Sequence, residues 1–233
     1  MRIRARQVAL VAIAALIAIV CVRLGFWQLD RLHGRRQINA MLAERGALPG
    51  VSLESAGAAG LAYAHVRATG TYDPAHEIVL SGRSFQDTAG NHILTPLVLA
   101  DGSAVLVDRG WVPLNVVAPP VSGEAAAPTG TVTVTGLALP PDAISASPST
   151  PAPSVVVRID LGVAGLPYDI APVYVLLEAQ DPAQSSGVPV PAAPPTLDEG
   201  PHLSYALQWF AFATIAVVGC IVLLRRDHER VGE

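Results

Sequence analysis

The sequence predicts two transmembrane α-helices that flank one extracytoplasmic, mainly β domain, folded as an antiparallel β-sandwich or a small barrel. Three observations predict this fold class. Val8–Val22 and Leu203–Leu224 are two apolar runs without a charged residue, and about 20 apolar residues suffice to cross the ~30 Å hydrocarbon core of a bilayer. Between the two runs, short segments rich in β-branched residues alternate with turn residues, which is typical of a domain built from short strands.

The first apolar run is best interpreted as a retained membrane anchor. After the interruption at Arg23, Leu24–Leu29 continues the run. A cleaved signal peptide has the same basic start but ends in a small-x-small cleavage site, which the segment 20–23 does not offer. A lipoprotein would be acylated on Cys21, but Val20 stands where Gly or Ala usually precedes such a cysteine. The sequence therefore favours a transmembrane helix over both alternatives.

The arginines at the ends of the two runs predict the orientation. Three arginines precede the first run and three follow the second: Arg2, Arg4, Arg6, Arg225, Arg226 and Arg230. Because basic residues concentrate on the cytoplasmic side of a membrane, both termini are expected in the cytoplasm. The predicted parts are a cytoplasmic tip with the first helix (1–29), an outer domain (30–202), the second helix (203–224) and a cytoplasmic tail (225–233). All 15 basic residues are Arg, and with 20 Pro this suggests a GC-rich bacterial genome and a bacterial cell membrane.

The composition argues against several classes of function. The outer 173 residues hold 8 Arg against 16 Asp and Glu, and such an acidic domain argues against nucleic acid and against broad docking on anionic lipid headgroups. The two cysteines, Cys21 and Cys220, fall one in each helix at different expected depths, so we expect no disulfide between them. The outer domain therefore has no thiol for redox chemistry or for copper binding.

The elements between the apolar runs follow from periodicity and from turn residues. Apolar spacing predicts that the first helix continues as an amphipathic helix to Ala43 and ends at Gly46, Pro49 and Gly50. Hairpin connections are expected at 89–91 and 101–103, a short helix at 160–165, and linkers in the proline-rich segments 119–120, 140–153 and 189–195. Strands are predicted near 65–72, 77–83, 92–99, 104–109, 131–139, 155–159 and 172–178.

Candidate functional residues lie at the outer ends of the two helices. Catalytic signatures and local histidine pairs for metal binding are missing from the sequence. Arginine and tryptophan recur every fourth residue on the first helix, and three polar or aromatic residues share a face of the second: Arg23, Trp27, Arg31 and Arg35, then His202, Tyr205 and Trp209. One interpretation is anchoring at the membrane interface. The other is a haem site in which His202 ligates the iron, while arginines pair with the propionates.

Three segments resemble the surfeit locus protein 1 family. Leu24–Leu32 resembles the signature of that family's first span, Val105–Pro113 its central motif, and Pro201–Phe210 the opening of its last span. The resemblance implies a cytochrome c oxidase assembly factor that supplies or installs haem a, with His202 as the suspected iron ligand. The chain departs from the family pattern at 33–36, where Trp and Lys are expected, and in Ala/Pro-rich insertions after Trp111.

Two function classes remain in competition on sequence alone. The first is an assembly factor for an aa3-type oxidase that binds haem a at a site of His202, Tyr205, Trp209, Arg23, Trp27 and Arg31 and presents it to the catalytic subunit. The second is a stable accessory subunit of the oxidase or of a respiratory supercomplex, without haem of its own. A membrane-bound enzyme lacks any supporting constellation of residues. In the central motif, Asp108–Trp111 is expected to close a strand, with Gly110 in an unusual backbone conformation and Trp111 packed at an interface.

Overall fold

The computed structural model describes residues 2–48, 50–53, 60–116, 118–144, 153–162, 165–184 and 187–229. The chain divides into two compact units. One comprises 1–40 together with 197–233, and the other comprises 41–196. Each unit is therefore described by itself.

The first unit is a pair of helices. Helix α1 (Arg2–Gly46) runs through the first apolar segment without a break and ends close to the predicted glycine. Helix α2 (His202–Glu229) contains the second apolar segment. By length and composition, both helices are able to cross a membrane. Only 11% of the most apolar stretch of α1 and 6% of that of α2 is buried. The predicted fold class is thus confirmed for the helices, which fit a membrane protein.

The two helices run antiparallel and touch through small and apolar residues. Cys21, Gly25 and Leu32 are buried on α1, and Ala206 and Ala213 are buried on α2. These positions recur at spacings of four and seven residues, which is the periodicity of a helix–helix seam. Both cysteines are free thiols, as the sequence predicts. The remaining surface of the two helices is largely exposed and apolar.

The second unit is a mixed β-sheet. Its long strands form where β-branched residues alternate with residues that face outward. The strands are β1 (Val51–Ser52), β2 (His65–Tyr72), β3 (Ile78–Phe85), β4 (Thr88–Leu99), β5 (Ala104–Pro113), β6 (Thr131–Leu139), β7 (Val155–Val156) and β8 (Ile170–Asp181). The pairing order is β1-β2-β6-β8-β5-β4-β3-β7, with an additional pairing of β2 and β4. Because β4 pairs back to β2 at Gly70–Tyr72, five of the strands (β2, β6, β8, β5 and β4) form a closed ring.

The small barrel is confirmed, but the sheet is mixed and not strictly antiparallel. Strand β8 runs parallel to β5, β1 runs parallel to β2, and β7 runs parallel to β3. A parallel pair needs a long connection between its strands, and the 56 residues between Pro113 and Ile170, which include β6, supply it for β5 and β8. Hydrophobic alternation predicts strands but not whether neighbouring strands run parallel or antiparallel, so the parallel pairs could not be predicted from the sequence.

Two local predictions were placed wrongly. The hairpin of β3 and β4 turns at Gln86 and Asp87, which both have positive φ, and not at 89–91, which lie inside β4. The expected helix at 160–165 is not found in the residues described there: Leu161 and Gly162 form a turn, and 163–164 lie outside the described residues. The turn at 101–103 between β4 and β5 is confirmed.

The barrel interior is mainly apolar, and among the described residues it also holds the buried side chains of Thr95, Glu77 and Arg109. Valines of the ring strands, such as Val107 and Val175, form its main core. On β5 the pairing with β4 slips by one residue, so that Leu94 pairs with Asp108 and Ile93 with Gly110. Such a β-bulge re-aims the side chains that follow it. The bulge residue, Arg109, is buried and pairs with Glu77 at 3.2 Å.

Candidate functional site

His202 is the first residue of α2 and is held by the other helix. Its Nδ1 lies 2.9 Å from Oε1 of Gln28 on α1, and the imidazole is half-buried. The preceding turn is closed by local hydrogen bonds: Ser204 Oγ and the Tyr205 backbone N–H both donate to the carbonyl of Pro201. The imidazole is therefore fixed both by the start of its own helix and by a side chain of the neighbouring helix.

Gln28 belongs to the contact between the helices and is not among the site residues predicted from the sequence. It follows Cys21 and Gly25 at the spacing of the buried seam and precedes Leu32 by four residues. A single polar residue within an otherwise small and apolar seam is a signal for an interhelical hydrogen bond. That signal was present in the sequence, but it is recognisable only once the seam and the partner helix are known.

The helices approach closely just below this hydrogen bond. A Cβ added to Gly25 would lie 2.6 Å from Cε1 of Phe210, so only glycine fits against the ring in its present position. Phe210 also packs edge-to-face against Phe26, with ring centroids 5.5 Å apart. Aromatic pairs of this geometry add to the stabilisation from buried area. The close approach keeps Gln28 within hydrogen-bonding distance of His202.

The segment before α2 is tied to α1 by polar contacts. Arg36 forms a two-pronged ion pair with Glu199, with Nε–Oε1 at 2.8 Å and Nη2–Oε2 at 2.9 Å. Asn39 Nδ2 donates to the carbonyls of Leu197 and Asp198 at 3.0 and 3.1 Å. Arg36 stands where the sequence departs from the family pattern. In this chain it helps to fix the segment that leads into His202.

The other predicted site residues lie on neighbouring faces. Arg31 stacks over the ring of Trp27 at 5.6 Å, which confirms that these two residues share a helix face. Arg23 is exposed on the same helix. In this structure no hydrogen bond or ion pair joins Arg23 or Arg31 to His202 among the described residues. At about 100° per residue, Arg23 and Trp27 point away from the face that carries Gln28.

On α2 the aromatic residues flank the seam. Tyr205 is 46% exposed. Trp209 is half-buried and packs edge-to-face against Phe212, with centroids 5.9 Å apart. The structure therefore brings His202 together with Gln28 and Trp27 together with Arg31. The role of the six predicted residues as one site stays a prediction.

The imidazole of His202 has the chemistry of a haem ligand. A neutral imidazole has one N–H and one free lone pair, and an amide oxygen accepts only, so the contact with Gln28 Oε1 favours the proton on Nδ1. Nε2 of His202 then carries the lone pair, and within the described part of the chain it has no hydrogen-bond partner. A haem iron needs only one or two protein ligands. In the described ranges, no group of three His, Cys, Asp or Glu could hold a bare metal ion.

The β unit has a cavity of its own. It measures about 260 Å³ and is lined by apolar residues around Leu177 and Pro189, together with four polar residues: Arg109, Glu178, Gln180 and Gln184. Gln184 Oε1 accepts a hydrogen bond from Arg109 Nη2 at 3.0 Å. Since the charge of Arg109 is already matched by Glu77, the cavity does not present an uncompensated cation to an anionic ligand.

The central motif is built around the bulge of β5. It lies inside the strand, so the expectation that 108–111 closes a strand is wrong. Gly110 has φ +115°, which confirms its unusual backbone, and the carbonyl of Val190 occupies the place of its missing Cβ. Trp111 packs against Phe85, with ring centroids 5.7 Å apart.

The chain is similar to known proteins of the SURF1 family. The model of the SURF1 family matches residues 15–214. A SURF1-like protein of Monosiga brevicollis is 27% identical over 233 residues, covering 93% of this chain and 88% of the relative. A SURF1-like protein of Rickettsia conorii is 27% identical over 224 residues, with coverage of 91% and 89%. An uncharacterized SURF1-like protein of Mycobacterium tuberculosis is 32% identical over 166 residues, with coverage of 66% and 57%.

Proposed function

Because this chain belongs to the SURF1 family, whose members are known as oxidase assembly factors, we propose that it assists the assembly of an aa3-type cytochrome c oxidase. In this proposal it binds haem a at the outer ends of α1 and α2 and aids its insertion into the catalytic subunit. The observation that carries the proposal is the half-buried His202, whose Nδ1 is bonded to Gln28 and whose Nε2 is without a partner in the described residues.

Each predicted site residue has a task in this proposal. His202 would hold the iron through Nε2, and Tyr205 and Trp209 on α2 would contact the apolar ring of the haem. Arg23 and Arg31 would compensate the carboxylates of the haem in a region of low dielectric, where an unpaired charge is costly, although Arg23 points away from the face that carries Gln28. Trp27 holds Arg31 by cation–π stacking. The bound haem supplies the redox-active iron, so the protein itself needs no catalytic side chain.

The membrane placement completes the proposal. Both helices expose most of their apolar surface, which the lipid of a bacterial cell membrane and the oxidase subunits would cover. With both termini in the cytoplasm, His202 lies near the outer face of the membrane. The acidic outer domain fits contact with protein partners and not with nucleic acid.

The test is an absorption spectrum of the full-length protein purified in mild detergent from cells that make haem a. We expect a Soret band in the wild type and its loss in His202→Ala, with unchanged membrane insertion. His33→Ala is the matched control, since His33 is an exposed histidine on α1 that bonds to Gln37 and lies outside the proposed site. An unchanged spectrum of His202→Ala would refute the ligand, and a wild type free of haem in every preparation would refute haem binding.

A second function, a stable accessory subunit of the oxidase or of a supercomplex, is favoured by the extent of exposed apolar helix surface. Helices that bury so little of their surface against each other leave room for partner helices. Co-purification of oxidase subunits in constant ratio, without extra haem, would select this function. Loss of the protein from the mature oxidase would select the assembly role.

A further inference from the structure

We propose that Gln28 is a positioning residue that sets the tautomer of His202, so that Nε2 carries the free lone pair. The ligand role of that lone pair rests on the proposed function, whereas the tautomer itself is a property of the protein without haem. Gln28 thereby becomes part of the site through its hydrogen bond to His202, although it would not touch the ligand.

The first step is the geometry of the hydrogen bond. Oε1 of Gln28 faces Nδ1 of His202 at 2.9 Å, and an amide oxygen can only accept. The proton of the neutral imidazole is therefore drawn to Nδ1. In free histidine both tautomers exist, so without this acceptor the lone pair would be shared between Nδ1 and Nε2.

The second step is access to Nε2. The glycine that precedes the helix, Gly200, lies on this side of the ring: a Cβ built on it would come within 3.6 Å of Nε2. Gly200 has φ +66° and donates its N–H to Oδ1 of Asp198 at 2.8 Å, so the turn is fixed without a side chain. The turn thus leaves Nε2 free of a neighbouring side chain at this position.

The third step is the rigidity of the acceptor. Gln28 lies in the seam between the helices, where Gly25 permits the close approach of Phe210. Metal-ligating histidines typically donate their other ring N–H to a fixed oxygen, and removal of such an outer partner typically lowers affinity by about 10- to 100-fold. Gln28 has the position and the chemistry of this outer partner.

The first experiment measures the tautomer in the haem-free, full-length protein, labelled with ¹⁵N-histidine and held in detergent micelles. The resonances of His202 are assigned by their absence in His202→Gln. We expect Nδ1–H to predominate in the wild type and in Gln28→Glu, which keeps an oxygen acceptor. In Gln28→Leu we expect Nε2–H to gain population. Gln37→Leu, which removes the glutamine bonded to His33, is the matched control and should leave His202 unchanged.

Either of two results would overturn the tautomer assignment: Nε2–H predominant in the wild type, or Nδ1–H unchanged in Gln28→Leu. Helicity measured by circular dichroism separates these results from misfolding, and Gln28→Glu serves as the folded comparison if Gln28→Leu does not fold.

The second experiment titrates the same variants with haem and follows the Soret band. We expect an affinity about 10- to 100-fold lower for Gln28→Leu than for Gln37→Leu, with recovery in Gln28→Glu. Equal affinity of Gln28→Leu and the wild type would overturn the positioning role. If His202→Gln itself binds haem as the wild type does, the proposed ligand fails. In that case the tautomer result still stands as a separate observation.

Discussion

Glu77 and Arg109 place a pair of charges inside a small barrel. Oε1 of Glu77 accepts hydrogen bonds from Thr95 and Arg109, and Oε2 accepts one from the Val121 backbone N–H. Burial raises the pKa of Glu77 and lowers the pKa of Arg109, whereas the ion pair opposes both shifts. Each partner is thus tolerated in the interior because the other one neutralises it.

Removing one partner of the Glu77–Arg109 ion pair should lower the free energy of unfolding far more than removing both partners. Glu77→Gln leaves the guanidinium of Arg109 buried without a counter-charge, and we expect a loss of about 3–5 kcal/mol in the free energy of unfolding. The double variant Glu77→Gln/Arg109→Met should be more stable than Glu77→Gln alone. Urea denaturation followed by near-UV circular dichroism measures both, and a double variant less stable than the single one would contradict the argument.

Asp73 gives a dependence of stability on pH. Its burial raises the pKa of the carboxyl, but hydrogen bonds from Tyr168, His76 and the Ala75 backbone outweigh this and hold the pKa below its ordinary value. A carboxylate with a lowered folded-state pKa stabilises the fold above the unfolded pKa of about 3.9, and this contribution is lost as the pH falls through the folded-state pKa.

Tyr168→Phe removes the hydroxyl that donates to Oδ2 of Asp73 at 2.6 Å. We expect the pKa of Asp73 to rise and the variant to lose about 0.5–1 kcal/mol at neutral pH, a small value because the cluster is partly exposed. The difference should disappear in acid, where Asp73 is protonated in both proteins. Urea denaturation at neutral and at acidic pH measures this difference in the free energy of unfolding, with Tyr174→Phe as control. A difference that persists in acid would show that the loss comes from packing.

At the scale of elements, the bulge in β5 depends on Gly110. Its φ of +115° is one that other residues resist, and an added Cβ would overlap the carbonyl of Val190. Gly110→Ala should cost about 1–3 kcal/mol from backbone strain, and more from the overlap. Gly102→Ala is the matched control, because Gly102 also has positive φ, +84°, but open space around it. Equal losses of unfolding free energy in the two variants would show that the contact with Val190 is unimportant.

The seam between α1 and α2 depends on Gly25 in the same way. Gly25→Ala should lower the thermal unfolding midpoint because its Cβ meets the ring of Phe210. Phe210→Ala removes that ring, so adding Gly25→Ala to the Phe210→Ala variant should not lower the thermal unfolding midpoint further. Gly34→Ala, on the same helix with no atom within 4 Å of its added Cβ, should instead be neutral or stabilising by up to about 1 kcal/mol. Additive effects of Gly25→Ala and Phe210→Ala would contradict a direct contact.

Local sequence patterns predicted most elements but not how they associate. Alternation of β-branched residues predicted the strand of 65–72 and that of 131–139 with the bounds that the structure shows. The positive φ of Gly110 followed from its motif. Gln86 and Asp87 turn the first hairpin, although neither is glycine, so turn chemistry pointed to Gly90 instead. The parallel pairing of β8 and the bond of Gln28 to His202 depend on partners distant in sequence, which no local pattern encodes.

At the scale of the whole molecule, the charge distribution makes a prediction about the membrane. Arginines end both apolar helices on the same side, so the β unit should lie outside the cytoplasm. Asp87 is a suitable site for a topology probe because it lies exposed in the turn between β3 and β4.

The topology is tested with single cysteines in a protein in which Cys21 and Cys220 are replaced by alanine. A membrane-impermeant maleimide added to spheroplasts should label Asp87→Cys, because the thiol faces the medium. It should label Glu233→Cys only after the membrane is opened with detergent. Both variants should react equally in detergent, which controls for accessibility. Labelling of Glu233→Cys in intact spheroplasts, or protection of Asp87→Cys, would reverse the orientation and place His202 at the inner face, which would contradict the proposed binding of haem a near the outer face.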